Sequence, residues 1–512
     1  MSSSKSRYMI GALAGALVAG SAMAAAGLGV ADRPDAAAPA GAATSGPAPS
    51  FGPPPGAPMT FADIFEKVSP AVVSINVTTR VDLSKMPRQI PGLPFEFRAP
   101  GQGGDEDGDG EGPRGPRRQS AGSGFFISAD GFLVTNNHVI EDAESIKVVL
   151  KDETELEATV VGRDEGTDIA VLKVKGSGYT FVNFENSARP RVGDWVMTVG
   201  NPYNLGGTAT AGIVSAYGRD IGETFVDYIQ LDAPINRGNS GGPTFDTYGR
   251  VIGVNTAIFS PTGGSVGIGF AVPADVAARV SRQLIANGKV VRGYIGATIQ
   301  NFDEDMAAAQ GMAGQKGAIV AELTSGGPAE RAGLATGDIV LSVNGTRVRS
   351  SSELTRQVAK AAPGDLLRLE VIRDGKPRTI DIRSGTRPSE SQLAASQGGP
   401  GGAPGPARPA PSAGQTLLGM TVAPLDEAAR RRTGLPAEAR GLLVSGVDRS
   451  SDAATKGLQP NDVLMRAGDR VLNAPGDLAA VVDQARKTGR PSVLVAVWRG
   501  GRTIFLPIKI AG

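Results

Sequence analysis

The chain has 512 residues, with 52 Lys and Arg against 51 Asp and Glu, a single His and no Cys. One imidazole excludes zinc sites built on several histidines, the missing thiols exclude disulfides and thiolate nucleophiles, and a net charge of +1 gives no basis for a nucleic-acid partner. At roughly 150 residues per domain the length holds about three domains, and any polar catalysis must use oxygen chemistry with at most one imidazole.

The chain opens with Lys5 and Arg7, followed by an uncharged run to Ala31 that contains Ala22-Met23-Ala24. A positive start, an apolar stretch and an A-x-A site predict a signal peptide over residues 1–24, and hence export. A retained membrane anchor reaching about residue 31 is the alternative. Residues 25–60, rich in Ala, Pro and Gly, read as a flexible tether. From Phe61 the texture changes to short apolar runs between Gly, Asn and Asp. The runs 72–77, 132–135, 169–174, 195–199, 213–215 and 251–254 predict strands. A helix is predicted over 274–287, with Val276, Val280 and Leu284 on one face and Gly288 as its stop. So many short strands imply a barrel or sandwich, and residues 61–288 form one β-rich domain. Residues 81–120 interrupt it as a solvated, mobile insertion. Asp105, Asp107, Asp109 and Gly110 imitate the start of a calcium loop there, but Pro116 stands where a bidentate Glu is needed. No metal or cofactor is called for.

An internal repeat fills the C-terminal half: residues 317–340 parallel residues 441–464, and Tyr294-Ile295-Gly296-Ala297 parallels Leu417-Leu418-Gly419-Met420. This predicts one small domain twice, at 289–384 and 416–512, joined by a Gly- and Pro-rich linker over 385–415.

The sole histidine, His138, follows a strand, and Ser240 lies 102 residues later among Gly238, Gly241 and Gly242. Serine needs a neighbouring base, and imidazole is the base whose pKa lies near neutrality. The G-x-S-x-G pattern also fits an α/β-hydrolase elbow, but that fold places its histidine after the serine. The order here suits either His-Asp-Ser, as in a chymotrypsin-like barrel, or Asp-His-Ser, and the β-rich context favours the first. Asp168, which opens the run 169–174, best meets the need for a buried, anchored orienter; Asp164 remains the alternative.

The motifs TNNHVI (135–140), GTDIAVLKV (166–174) and GNSGGP (238–243), followed by the two repeats, resemble the HtrA family of serine proteases. The double repeat resembles that family's periplasmic Do-like (DegP/DegQ-type) branch. The resemblance implies a mainly β fold, a chymotrypsin-like double β-barrel followed by two PDZ domains. It implies His138 as general base, Asp168 as orienter and Ser240 as nucleophile, with Gly238, Asn239 and Ser240 forming the oxyanion hole. The position that holds Asp in trypsin-like enzymes is Pro234 here. By resemblance Ile235, Ile258 and Phe259 line the primary pocket, so cleavage is expected after small apolar residues.

Such residues are buried in native proteins, which points to unfolded polypeptides as substrates. The resemblance further implies that Tyr294, Ile295, Gly296 and Ala297 hold the carboxylate of C-terminal peptides. In the second copy Lys456 and Asn461 replace Ala332 and Gly337, so peptide binding is assigned to the first. Arg219 resembles an activation-loop sensor. A homo-trimer or a multiple of trimers is expected, with Phe95 and Phe97 docking on a neighbouring subunit. The expected protein is a periplasmic endopeptidase that degrades misfolded proteins and also acts as a chaperone. Its rivals are a chaperone or PDZ adaptor with a silent protease domain, and a membrane-anchored processing protease.

Overall fold

Alternation along each strand sends its side chains into two different cores. The computed structural model describes residues 60–80, 117–184, 189–201, 207–261, 264–389, 392–393 and 414–510. The proposed signal peptide, the tether, most of the insertion with Phe95 and Phe97, and most of the 385–415 linker lie outside the described residues.

The first barrel consists of β1 (Val72–Arg80), β2 (Arg117–Phe126), β3 (Phe132–Thr135), β4 (Ala143–Val149), β5 (Glu155–Asp164) and β6 (Ile169–Val174). These close in the order β1-β2-β3-β6-β5-β4. Leu133, Ala170, Leu172 and Val174 fill its interior, while Val134, Ile169 and Val171 pack outward against the second barrel. Burial on both faces is why these strands read as continuous apolar runs. The second barrel holds β7 (Trp195–Gly200), β8 (Thr208–Arg219), β9 (Tyr228–Leu231), β10 (Pro243–Asp246), β11 (Val251–Ile258) and β12 (Gly269–Pro273). It closes as β10-β11-β12-β9-β8-β7. A short helix α1 (Ala62–Val68) precedes β1, α2 (Asn137–Ile140) follows β3, and α3 (Ala274–Asn287) lies across the junction of the barrels. The predicted helix and its stop coincide with α3 and Gly288, which takes φ 70°. One boundary moves: residues 117–120, read as insertion, pair with Val77–Arg80. Their polar sequence hides a strand that the ladder with β1 imposes.

The first repeat builds a sheet from β14 (Ala297–Phe302), β15 (Gly317–Leu323), β16 (Ile339–Val343), β18 (Leu366–Arg373) and β19 (Lys376–Arg383), with β17 (Thr346–Arg347) on β16. Two short strands, β13 (Gly293–Tyr294) and β20 (Gly385–Thr386), pair at its base and carry it two residues into the stretch read as linker. Its helices are α4 (Glu304–Ala309), α5 (Pro328–Arg331) and α6 (Ser351–Ala359). The second repeat follows the same plan with β22 (Met420–Pro424), β23 (Leu442–Val447), β24 (Val463–Ala467), β26 (Ser492–Arg499) and β27 (Arg502–Lys509). There β25 (Arg470–Val471) pairs with β24, and one extra strand, β21 (Gln415–Leu417), pairs with β22.

Candidate active site

Asp168 reaches its position through an unusual backbone. It ends the 3-10 turn Glu165–Thr167 with φ 54°, a left-handed conformation that costs an L-residue energy and is held only by its surroundings. Asn137 N–H and the Asn136 side-chain amide both donate to its carbonyl, at 3.1 and 2.9 Å. Its carboxylate then accepts the main-chain N–H of His138 at 2.9 Å and His138 Nδ1–H at 2.7 Å. A carboxylate can only accept, so the Nδ1 proton is fixed and Nε2 is free to act as a base. Burial works against a charged His138, but the hydrogen bond and charge of Asp168, with Glu141 further off, outweigh it and raise its pKa above the usual value. The side chain is still 46% exposed, so it faces the cleft.

Asp164 goes elsewhere. It accepts Thr167 Oγ1–H at 2.5 Å and a two-pronged pair from Arg292, at 2.8 and 2.5 Å. Of the two candidate orienters, only Asp168 meets the histidine.

Ser240 arrives from the second barrel on a turn seated against the first. Its carbonyl accepts Ser123 N–H at 2.8 Å, and Ser123 Oγ–H donates to Gly238 O at 2.5 Å. Gly241 must be glycine: it takes φ 85°, and a Cβ would lie 2.2 Å from Ser123 O. Asn239 N–H donates to Asn236 O at 3.0 Å, whereas neither Gly238 N–H nor Ser240 N–H has a partner among the described residues. Two unpaired amides flanking a serine are what an oxyanion requires. The Ser240 hydroxyl donates to Thr256 O at 3.3 Å and makes no hydrogen bond with His138. Proton transfer from this hydroxyl to His138 would need a rotation about χ1, in keeping with the loose geometry of unliganded sites.

Ile235 is 1% exposed and clusters with the partly buried Ile258, while Phe259 stands 59% exposed outside that cluster. Arg219 reaches neither the dyad nor the first repeat; its Nε–H donates to Gln230 at 2.8 Å. The contacts to that repeat come from its neighbours. Asp227 accepts from Arg356 at 2.6 Å, and the Phe225 ring lies 4.1 Å from the Arg292 guanidinium. Burial raises the pKa of Glu223, and the charges of Asp168 and Asp164 raise it further.

Sequence reasoning missed three supports. Asn136, fully buried, links the Asp168 carbonyl to Thr256 Oγ1, at 3.1 Å from the latter. Ser123 seats the serine turn, and Arg292 takes Asp164. A polar Asn set between an apolar strand and the histidine was the available signal for Asn136; nothing local announced the other two.

The first repeat keeps the outer edge of β14 unpaired among the described residues. Beside it, Ile295 O and Gly296 O accept Ala329 N–H and Thr324 N–H at 2.7 and 2.9 Å. The loop carbonyls are thus engaged inward, and the amides of Ile295 and Gly296 have no partner among the described residues. In the second repeat the same edge is taken. Residues 415–417 fold back through Leu418-Gly419 and pair antiparallel with β22, where an added peptide strand would lie.

Among the described residues no cluster of His, Asp and Glu could hold a metal ion. A family model for the trypsin-like peptidase domain matches residues 122–254, and one for the PDZ domain matches residues 293–383. The chain is similar to a probable periplasmic serine endoprotease, DegP-like, of Rhizobium meliloti (strain 1021). The two are 41% identical over 479 residues, covering 88% of this chain and 92% of the relative. It is also 41% identical over 485 residues to a protein of the same description in Brucella suis biovar 1, covering 90% of each. Among solved structures it resembles the HtrA-type protease AlgW with a decapeptide. That match has TM-score 0.53 and 36% identity, over 64% of this chain and 99% of that one.

Proposed function

The chain belongs to the DegP-like, HtrA-type family of serine endoproteases, and from that premise we propose that His138 is its general base, Asp168 the orienter and Ser240 the nucleophile. One observation carries the reading: Asp168 accepts both the Nδ1–H and the main-chain N–H of His138, at 2.7 and 2.9 Å. Two bonds to one carboxylate fix the ring plane as well as its tautomer. The Ser240 hydroxyl swings from Thr256 O to His138 Nε2, gives up its proton and attacks the scissile carbonyl. The amides of Gly238 and Ser240 take the oxyanion, with Asn239 holding the turn between them. His138 then returns the proton to the leaving amine, and water releases the acyl group by the reverse sequence.

The packing of Ile235 against Ile258, with Pro234 at the position that holds Asp in trypsin-like enzymes, supports cleavage after small apolar residues in unfolded polypeptides. Mass spectrometry of casein fragments tests this; cuts dominated by Arg or Lys sites would overturn it. The catalytic assignment is tested by Ser240→Ala, expected to lower casein cleavage by roughly 10⁶-fold while leaving the thermal midpoint near that of the wild type. Undiminished proteolysis would refute it.

The free β14 edge supports capture of C-terminal peptides by the first repeat. A labelled peptide ending in an apolar residue should bind in anisotropy, and its C-terminal amide should not. Residence in the periplasm, in homo-trimers or their multiples, with chaperone activity in quality control, completes the proposal. The relatives' names support the compartment. Among the described residues no helix is long and apolar enough to cross a membrane. Analytical ultracentrifugation should give masses in multiples of three chains.

A further inference from the structure

A cavity of about 550 Å³ lies between the second barrel and the first repeat. Its inner wall is apolar: Ile229 and Ile252 come from the barrel, Val276 and Val280 from α3. Its opposite wall is α6 of the first repeat, which contributes Arg356. Arg356 is only 8% exposed. Its Nη2–H donates to Asp227 at 2.6 Å, and Nη1 lies 3.9 Å from Asp220, beyond hydrogen-bond reach. Nε and Nη1 have no hydrogen-bond partner among the described residues. A buried guanidinium with two idle donors is an expensive arrangement that an anion would relieve.

Further charge points the same way. Arg279, on α3, also lines the cavity and makes no ion pair among the described residues. Arg189 and Lys360 add two more cations to the lining, which also holds the carboxylates of Asp227, Asp275 and Glu353, while the charge of Arg292 is already taken up by Asp164. The cavity is also bordered by the first turn of α3, whose N-cap Pro273 supplies no capping side chain and whose Asp275 offsets the positive end of that 14-residue helix.

We propose that this cavity binds a small amphipathic carboxylate, with its aliphatic chain along Ile229, Ile252, Val276 and Val280 and its carboxylate on Arg356 and Arg279. An inorganic anion would leave the apolar wall wet, and a neutral hydrocarbon would leave the guanidinium unmatched. The volume lies within the range of small-molecule sites. Because its walls come from α3 and α6, the ligand bridges the protease and peptide-binding domains.

The test is isothermal titration calorimetry of the full chain carrying Ser240→Ala, which prevents self-digestion, with decanoate below its micelle concentration. One saturable decanoate per chain is expected, bound more tightly than 1-decanol or inorganic phosphate. Arg279→Ala should weaken decanoate about tenfold, the loss of one charge-assisted contact. Val276→Phe, which fills the apolar wall, should abolish binding. Should Val276→Phe fail to fold by circular dichroism, Arg279→Ala decides the matter. Absence of binding, equal affinity for phosphate or decanol, or decanoate affinity unchanged in the folded variants would each overturn the proposal.

Discussion

Asp164 and Asp168 sit four residues apart at the two ends of one turn, each 8% exposed, and they do different things. Asp168, held in a left-handed backbone, turns its carboxylate to His138. Asp164, the last residue of β5, turns its own to Arg292 at the entrance to the first repeat. Phe225 spans the two sites. Its ring packs where a Cβ on Gly166 would lie, 2.6 Å away, and stacks on the Arg292 guanidinium. The pair teaches that burial of a carboxylate does not mark catalysis, since both are buried alike. The partner decides: one acid faces an imidazole, which can pass a proton, the other a guanidinium, which serves as a fixed counter-charge.

Substitution should therefore separate the two cleanly. Asp168→Asn keeps the shape but offers His138 an amide, which favours the wrong tautomer. The expected loss in kcat on casein is roughly 10⁴-fold, with little change in thermal midpoint. Asp164→Asn leaves the Arg292 guanidinium, 13% exposed, without its counter-charge. A loss of about 3 kcal/mol is expected in denaturant unfolding, with kcat reduced less than tenfold. If both variants lost activity equally at unchanged stability, the division of labour between the two acids would be wrong.

The legible parts of the sequence were those where chemistry is scarce or burial is two-sided. His138 and Ser240 stood out because one imidazole and one glycine-lined serine turn were available. β3, β6 and α3 were readable to the residue, since strands buried on both faces make unbroken apolar runs and α3 has a glycine stop. β5, reading ELEATVVGRD, was invisible because most of it faces solvent at the barrel rim. β9 (YIQL) and β10 (PTFD) are interrupted by polar residues, so neither shows the unbroken apolar run that marks the equally short β3. The choice between Asp164 and Asp168 stayed open because it depends on Arg292, 128 residues from Asp164. Likewise, Leu417-Leu418-Gly419-Met420 resembled the loop of the first repeat, yet the turn it makes folds residues 415–417 over the edge that the first repeat leaves open.

The subtlest difference between the two acids is in pH dependence. His138 is raised above its ordinary pKa because Asp168 pairs with its charged form, against the opposing cost of burial. A folded-state pKa above the unfolded value of about 6.5 gives stability that is fully present below 6.5 and is lost as pH rises through the folded value. In the proposed mechanism catalysis runs the other way, because the base must be neutral to accept the Ser240 proton. Across that window kcat/KM should climb while the contribution of the His138–Asp168 pair to the unfolding midpoint declines. The acid limb of kcat/KM should lie above pH 6.5 in the wild type and in Asp164→Asn alike, since Arg292 and not His138 is the partner of Asp164. In Asp168→Asn the imidazole loses the charge that raised it while its burial remains. Its residual activity should therefore show an acid limb shifted downward, read from single-turnover rates across pH 5 to 9. An acid limb that moved with Asp164→Asn instead would mean that the two carboxylates share the histidine after all.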